Sequence, residues 1–494
     1  MEYKKEEYWA SHDHRRHCAG APESEEKEYY DKRLCEQLKE VTNLGPFLAK
    51  ADLAWTVMLC KQGIISKEVA KKLLKILREA GAGGEDILKR KLDGDEDTAS
   101  AVNLGRTLQE PMSRLQLREK LLDIFDLLLK CLGTLLDVAE ENVDTVMAGQ
   151  SHLSHAQPTT YAAYLLAVHD GLSRGLEQLE LAYKHTNQNS AGCGACSGTG
   201  WPVDRQLVTD LLGFHSLVEV TYDCEPGQDH VLTILFALTN IAVLLSRTAM
   251  DFNIWSMEEV MMVEVNPGWK GVSSMMPQKA IPGSRYEQIR IESSAVIGDM
   301  TIGVVSNKGE PYSDMLPIYE GWTVALRAMC HLERAMGFFN GLLRNTKPIK
   351  EQMLCYAREG FSATSDLAVK LIRDKGLGGR RSHRICATFV RMARERGIKA
   401  CYTTGELLDE AARVAGEDPP CLSTREVCEA LDPVKFIERH NNLGDPNPDE
   451  SRSLIANRRK KLHDAKILHA SRVAKIKEAD QKLTAEVEAI IGHI

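Results

Sequence analysis

Glu264-Val-Asn-Pro-Gly-Trp-Lys-Gly-Val-Ser-Ser-Met-Met-Pro-Gln-Lys-Ala-Ile-Pro-Gly-Ser-Arg-Tyr-Glu-Gln-Ile-Arg290 interrupts a chain otherwise patterned for helices. Three glycines (Gly268, Gly271, Gly283) and three prolines (Pro267, Pro277, Pro282) oppose a regular helix here, while apolar residues on both sides recur at helical spacing. A long irregular loop is expected, and loops of that length are usually functional or disordered. It holds two adjacent hydroxyls, Ser273 and Ser274, and six residues after the first comes Lys279, a cation able to neutralise charge created when a proton is removed. Glycine freedom would let such a loop close over a ligand. A solvated surface loop has the same composition, so the order of the residues has to separate the two.

Around this loop, helical spacing runs through 113–147, 159–187, 228–262, 285–306 and 317–344, which predicts five long helices in a bundle. The first would be about 50 Å long. Apolar coverage is generous all round, clearest in Val231 to Leu245, so association with further copies of the chain is expected. That run is too short to span a bilayer and contains Thr239 and Asn240, so no membrane role is expected. Two helices are predicted within 32–80, the second from Ser66 through Leu77, with a break at Gly63 and a stop at Gly81. Residues 85–112 read as a loop-bearing segment, 350–435 as shorter helices, and 450–491 as a Lys/Arg-rich helix whose charge is a solvated face, with RNA binding a poor second reading. Residues 1–30 read as a polar arm. Strand signals are nearly absent. The expected fold is all-α with three domains, 1–112, 113–349 and 350–494.

At 494 residues and 43% apolar content the chain can bury more than one core. A net charge of −8 with interspersed signs gives no basic face for nucleic acid, so the expected partners are small molecules or further copies. Thirteen scattered cysteines and a charged start at Met1 to Arg16 without an apolar core point to the cytoplasm.

Further chemistry lies between the long helices. Gly149-Gln-Ser-His-Leu-Ser-His-Ala-Gln-Pro-Thr-Thr160 crowds two histidines with hydroxyls and amides. A lone histidine at a helix junction is as a rule a cap or core partner, although imidazole suits proton transfer near neutral pH. Asn103 to Glu110 offers Thr107 and Gln109, which could hydrogen-bond a carboxylate or serve a helix start with the threonine capping. In Asn189 to Arg205, Cys193-x-x-Cys196 stands without a second pair, so small residues allowing close backbone approach outweigh zinc or redox chemistry. Gly192-x-Gly194 lacks the third glycine and the strand of a dinucleotide site.

Ser273 to Lys279 resembles the signature loop of the fumarase/aspartase superfamily, Gly-Ser-Ser-x-Met-Pro-x-Lys-x-Asn-Pro, with Val272 at the Gly position and Ile281 at the Asn position. Residues 151–158 resemble its Thr-His-Leu-Gln-x-Ala-Gln-Pro motif, and 103–110 and 49–65 look like argininosuccinate lyases; the resemblance spans about 32–445. It implies Ser273 as the base that takes a proton beside a carboxylate, Lys279 as holder of the resulting aci-carboxylate, and His152 as assistant to the departing group. Glu287 would pair with the histidine; it lies one residue later than the pattern expects, with Tyr286 in that place. His155 is read as structural. Substrate binding is expected from Thr107, Gln109, Ser151, Gln157, Ser274, Ile281, Asn307 and Lys308.

The implied reaction is reversible β-elimination of an amine from an N-substituted aspartate to give fumarate, without metal or organic cofactor, in a homotetramer with shared active sites. A C–O lyase and an inactive relative with a structural or binding role are the alternatives. Ile281 offers no donor to a carboxylate, and Ser306 to Pro311 lacks most of the polar run that argininosuccinate lyases carry there, so the expected substrate is not argininosuccinate.

Overall fold

The computed structural model describes residues 45–81, 85–107, 111–312 and 316–492. The expected arm over 1–30 and Gln109 lie outside them. Helix α1, Gly45–Lys61, is followed by α2, Lys67–Ala80. Ser66 caps α2 by accepting the Val69 N–H at 3.2 Å, and Gly81 at φ +60° ends it. The loop-bearing segment holds two short helices, α3, Glu85–Lys91, and α4, Glu96–Ser100.

Five long helices follow, as the spacing predicts: α5 Met112–Glu140, α6 Tyr161–Thr186, α8 Asp229–Trp255, α9 Ser284–Asn307 and α10 Leu316–Asn345, with a short α7, Arg205–Leu212, before α8. Two are shorter than expected. Helix α5 stops at Glu140 rather than 147, because Thr145 turns back to bond Asn142 and β-branched Val146 opens a strand. Helix α8 stops at Trp255 rather than 262, where the Ser256 hydroxyl donates to the Asn253 carbonyl. By length and composition alone α8 could cross a membrane; here α6, α9 and α10 pack against it.

The remaining helices are α11 Lys350–Glu359, α12 Thr364–Lys375, α13 Gly379–Glu395, α14 Gly405–Val414, α15 Thr424–Leu431, α16 Pro433–Arg439 and the 44-residue α17, Pro448–Ile491. One core fills the bundle, a second gathers Trp55, Leu73 and Leu115 with Leu483 and Val487 of α17, and a third joins α12 to α15. Helix α17 thus runs from the bundle to the N-terminal core. Its charge run is not simply a solvated face: Arg458 forks onto Asp170 at 2.6 Å, and Arg472 bonds Glu180 at 3.0 Å while lying over the Tyr183 ring.

The described residues also form four two-stranded pairs that sequence reading missed. Strand β1, Val146–Ser151, pairs with β2, Ser154–Thr160. Strand β3, Gln188–Asn189, pairs with β4, Ser216–Leu217; β5, Val263–Val265, with β8, Thr346–Pro348; and β6, Gly271–Val272, with β7, Ala280–Ile281. Most are too short for alternation to register.

These pairs and a few side-chain contacts show that successive long helices alternate in direction. Arg114 near the start of α5 bonds the His185 carbonyl at the end of α6, and Tyr312 past α9 bonds Asp223 before α8. One end of the bundle therefore carries both the β1–β2 and the β6–β7 hairpins, and the opposite end carries Thr107, the 188–228 segment and the close of α9. At 1.5 Å per residue the 29 residues of α5 alone separate these ends by roughly 40 Å.

Candidate active site

The signature stretch is not an irregular loop throughout but a small hairpin. Gly271 pairs with Ile281 and Val272 with Ala280, so Ser273 and Lys279 are the first residues beyond the last paired rung and face each other across the neck of the loop. The Ser273 hydroxyl oxygen accepts the Met275 N–H at 3.3 Å and the Met276 N–H at 3.1 Å. Donors aimed at an oxygen favour its deprotonated form, and the Lys279 ammonium adds a cation at the same neck. Ser274, Met275 and Lys279 are exposed, and Val272 and Met275 are apolar side chains about nine-tenths open to solvent in the single chain.

His152 sits at the tip of the β1–β2 hairpin, exposed, between the paired Ser151 and Ser154. It and Leu153 form the two-residue turn, both with left-handed backbone at φ +53° and +57°. The hairpin is held from behind. The Gln157 amide donates to the Ser365 hydroxyl at 3.1 Å, and the His155 ring meets Tyr356 edge-on, the centroids 6.0 Å apart. Burial, and then the Arg394 cation, lower the pKa of His155, in keeping with a structural role.

Helix α9 begins directly after the signature hairpin. Tyr286 is fully buried, packed against Phe252, and burial pushes its phenol up to about 12. Glu287, one residue on, is exposed in the first turn of the helix. The two side chains at the disputed position thus divide into a core residue and an accessible carboxylate. Ile281 lies over Gly271, and beside it the Ser284 hydroxyl is buried without a hydrogen-bond partner.

The other expected residues lie at the opposite end. Thr107 is half-buried and follows Arg106, whose guanidinium pairs with Asp52 inside the N-terminal core, both side chains fully buried, and lies over the Trp55 ring. Asn307 closes α9 and bonds the Gly303 carbonyl at 2.8 Å, with Lys308 next. In the 192–198 stretch, a Cβ on Gly194 would lie 2.5 Å from the Gly198 carbonyl oxygen, the close backbone approach expected of small residues. One chain therefore brings His152, Ser273, Lys279 and Glu287 to one end and leaves Thr107, Asn307 and Lys308 at the other.

Sequence reading missed Asp52 and Tyr356. Asp52 has no signal beyond an acidic residue on an otherwise apolar helix face, and Tyr356 none at all.

The sequence profile of a family described as Lyase matches residues 85–298. Argininosuccinate lyase of Methanococcoides burtonii is 30% identical over 458 residues, covering 89% of this chain and 92% of that one. The chain belongs to the fumarase/aspartase superfamily. Within it the chain stands with the argininosuccinate lyases, and it is a carbon–nitrogen lyase. The Methanosarcina acetivorans argininosuccinate lyase is likewise 30% identical, over 457 residues, with 89% and 91% of the two chains covered. Among solved structures, EDDS lyase in complex with formate superposes with a TM-score of 0.84 at 29% identity, covering 91% of this chain and 92% of that one. A variant of EDDS lyase with bound fumarate gives the same values.

Proposed function

We propose that the chain eliminates an amine from an N-substituted aspartate to give fumarate, in sites that several copies build together. Ser273 takes the β-proton, and the C–H electron pair becomes the new double bond. The C–N pair leaves with nitrogen, which gains a proton with help from His152, itself supported by Glu287. Lys279 holds the aci-carboxylate. The observation that carries this reading is the Ser273 hydroxyl, fixed by two N–H donors with Lys279 across the hairpin neck.

Composite sites are supported by the roughly 40 Å between Thr107 and the two hairpins, a span no side chain crosses. The helices supply a surface for assembly. Phe236, Val243 and Met250 stand exposed at seven-residue intervals on α8, and α9 exposes Ile291, Ile302 and Val305 without that interval. A homotetramer fits this arrangement. The cytoplasm is the proposed compartment, supported by cysteines such as Cys131, Cys355 and Cys401 that stand as thiols; recovery of the protein from a secreted fraction would overturn it.

The substrate is an N-substituted aspartate other than argininosuccinate. Ile281 gives a carboxylate no donor, and EDDS lyase, at 29% identity over nine-tenths of the chain, acts on EDDS by its name. The unpartnered Ser284 hydroxyl favours a second reading, in which it replaces the missing amide and the carboxylate clamp is kept. To test the proposal, kcat/KM would be compared for argininosuccinate and other N-substituted aspartates in the wild type, in Ile281→Asn and in Ser284→Ala. Wild-type efficiency toward argininosuccinate on a par with dedicated lyases would overturn it.

A further inference from the structure

Past the end of α9, Tyr312 meets Tyr222 from the segment before α8. The rings of Tyr222 and Tyr312 lie nearly parallel, 8° apart in plane, with centroids 6.2 Å apart. The Tyr312 hydroxyl donates to one Asp223 carboxylate oxygen at 2.6 Å. Both rings remain about half exposed and border an open recess of about 590 Å³. Its described lining includes Glu219, Val220 and Asp223 and neither Lys nor Arg. The Arg205 guanidinium behind the wall is taken up by the Val218 and Glu219 backbone carbonyls at 2.8 and 3.3 Å, so the two carboxylates and two ring faces still form a surface that attracts a cation and repels an anion.

The recess belongs to the substrate-binding end. A Cβ on Gly105, two residues before Thr107, would touch Thr199 at 3.4 Å, and one on Gly198 would touch Thr221 at 3.8 Å, next to Tyr222. Tyr312 follows Lys308 by four residues. A dicarboxylate moiety held at Thr107 and Lys308 would therefore leave the rest of the substrate directed along this wall.

We infer that the departing amine carries a second cationic group and no carboxylate, received between the Tyr222–Tyr312 pair and the carboxylates of Asp223 and Glu219. This rests on the elimination reading above and names the class of amine. It also agrees with the exclusion of argininosuccinate, whose amine half ends in a carboxylate that would meet Glu219 and Asp223.

The test runs in the direction of addition, with the full-length protein, fumarate and three matched amines: 1,4-diaminobutane, n-pentylamine, which lacks the second cation, and ornithine, which adds a carboxylate. Diaminobutane should be preferred by about tenfold or more. Glu219→Gln, Asp223→Asn and Tyr222→Leu should each lower its kcat/KM by about 3- to 30-fold, and the charge-removing pair should lower that of n-pentylamine by clearly less. Preference for ornithine or n-pentylamine, or equal losses for all three amines, would overturn the inference. Saturation-transfer NMR of diaminobutane on the fumarate-loaded protein separates the two levels. If no amine adds to fumarate, the elimination reading fails and the diamine is no longer a departing group, whereas addition without diamine binding at the recess, or binding that Glu219→Gln leaves unchanged, overturns the inference alone.

Discussion

The Tyr356 hydroxyl on α11 donates to the Glu259 carbonyl oxygen at 3.1 Å, just ahead of the strand that leads to the signature hairpin. The same ring braces His155 on the hairpin that carries His152, so one side chain fixes the seats of both chemical groups. Tyr356→Phe keeps the ring and removes a bond of about 1 kcal/mol. It should lower kcat about 3- to 10-fold with little change in Tm. Gly360→Ala should do more, because its Cβ would lie 2.6 Å from the His155 Nδ1. Steady-state kinetics on folded variants decide the matter, and unchanged kcat in both would remove Tyr356 from the positioning machinery.

Ser273→Ala removes the proposed base. Turnover should fall by about 10²-fold or more, while Tm moves by only a few degrees, since the hydroxyl bonds only its own exposed loop. Activity surviving within a fewfold would reassign the base.

Mixing inactive His152→Asn and Ser273→Ala chains, then unfolding and refolding them together, should restore activity. If the two groups of each site come from different chains, random mixing gives a site about one chance in four of drawing both intact. Light scattering on the same samples should report a tetramer, and a monomer would end the composite-site proposal.

His230 predicts an acid limit on stability. It is buried, its Nδ1 is 3.0 Å from the Gly227 carbonyl oxygen, and burial, followed by the Arg114 cation, holds its pKa well below the ordinary histidine value. The folded state keeps it neutral, so below about pH 6.5 the unfolded chain binds the extra proton and stability falls as pH falls. Thermal unfolding at pH 8, 6.5 and 5 should show a steeper loss for the wild type than for His230→Gln. Parallel curves would exclude His230 as the cause.

The long helices were legible because segments of 24 residues or more with recurring apolar side chains carry many turns of one period, and the Ser66 cap and the Gly81 stop follow from local chemistry alone. The hairpins were not. Val272 and Ala280 lie seven residues of glycine-free loop apart, and a two-residue strand contains no full alternation to detect. His152 could be located by motif but not its turn, since nothing in His-Leu calls for left-handed backbone. The buried Asp52–Arg106 pair and the Tyr356 brace escaped for a related reason: contacts between distant segments leave no period behind.

The turn at His152 and Leu153 places folding and chemistry in opposition. Left-handed backbone costs a non-glycine residue about 1 kcal/mol, and here two successive side chains bear it at an exposed tip where neither is buried to compensate. Glycine at either position would relieve that strain, and at position 152 it would also remove the imidazole. Selection for heat resistance alone would therefore favour glycine at this tip, at the expense of the group proposed to assist the departing amine.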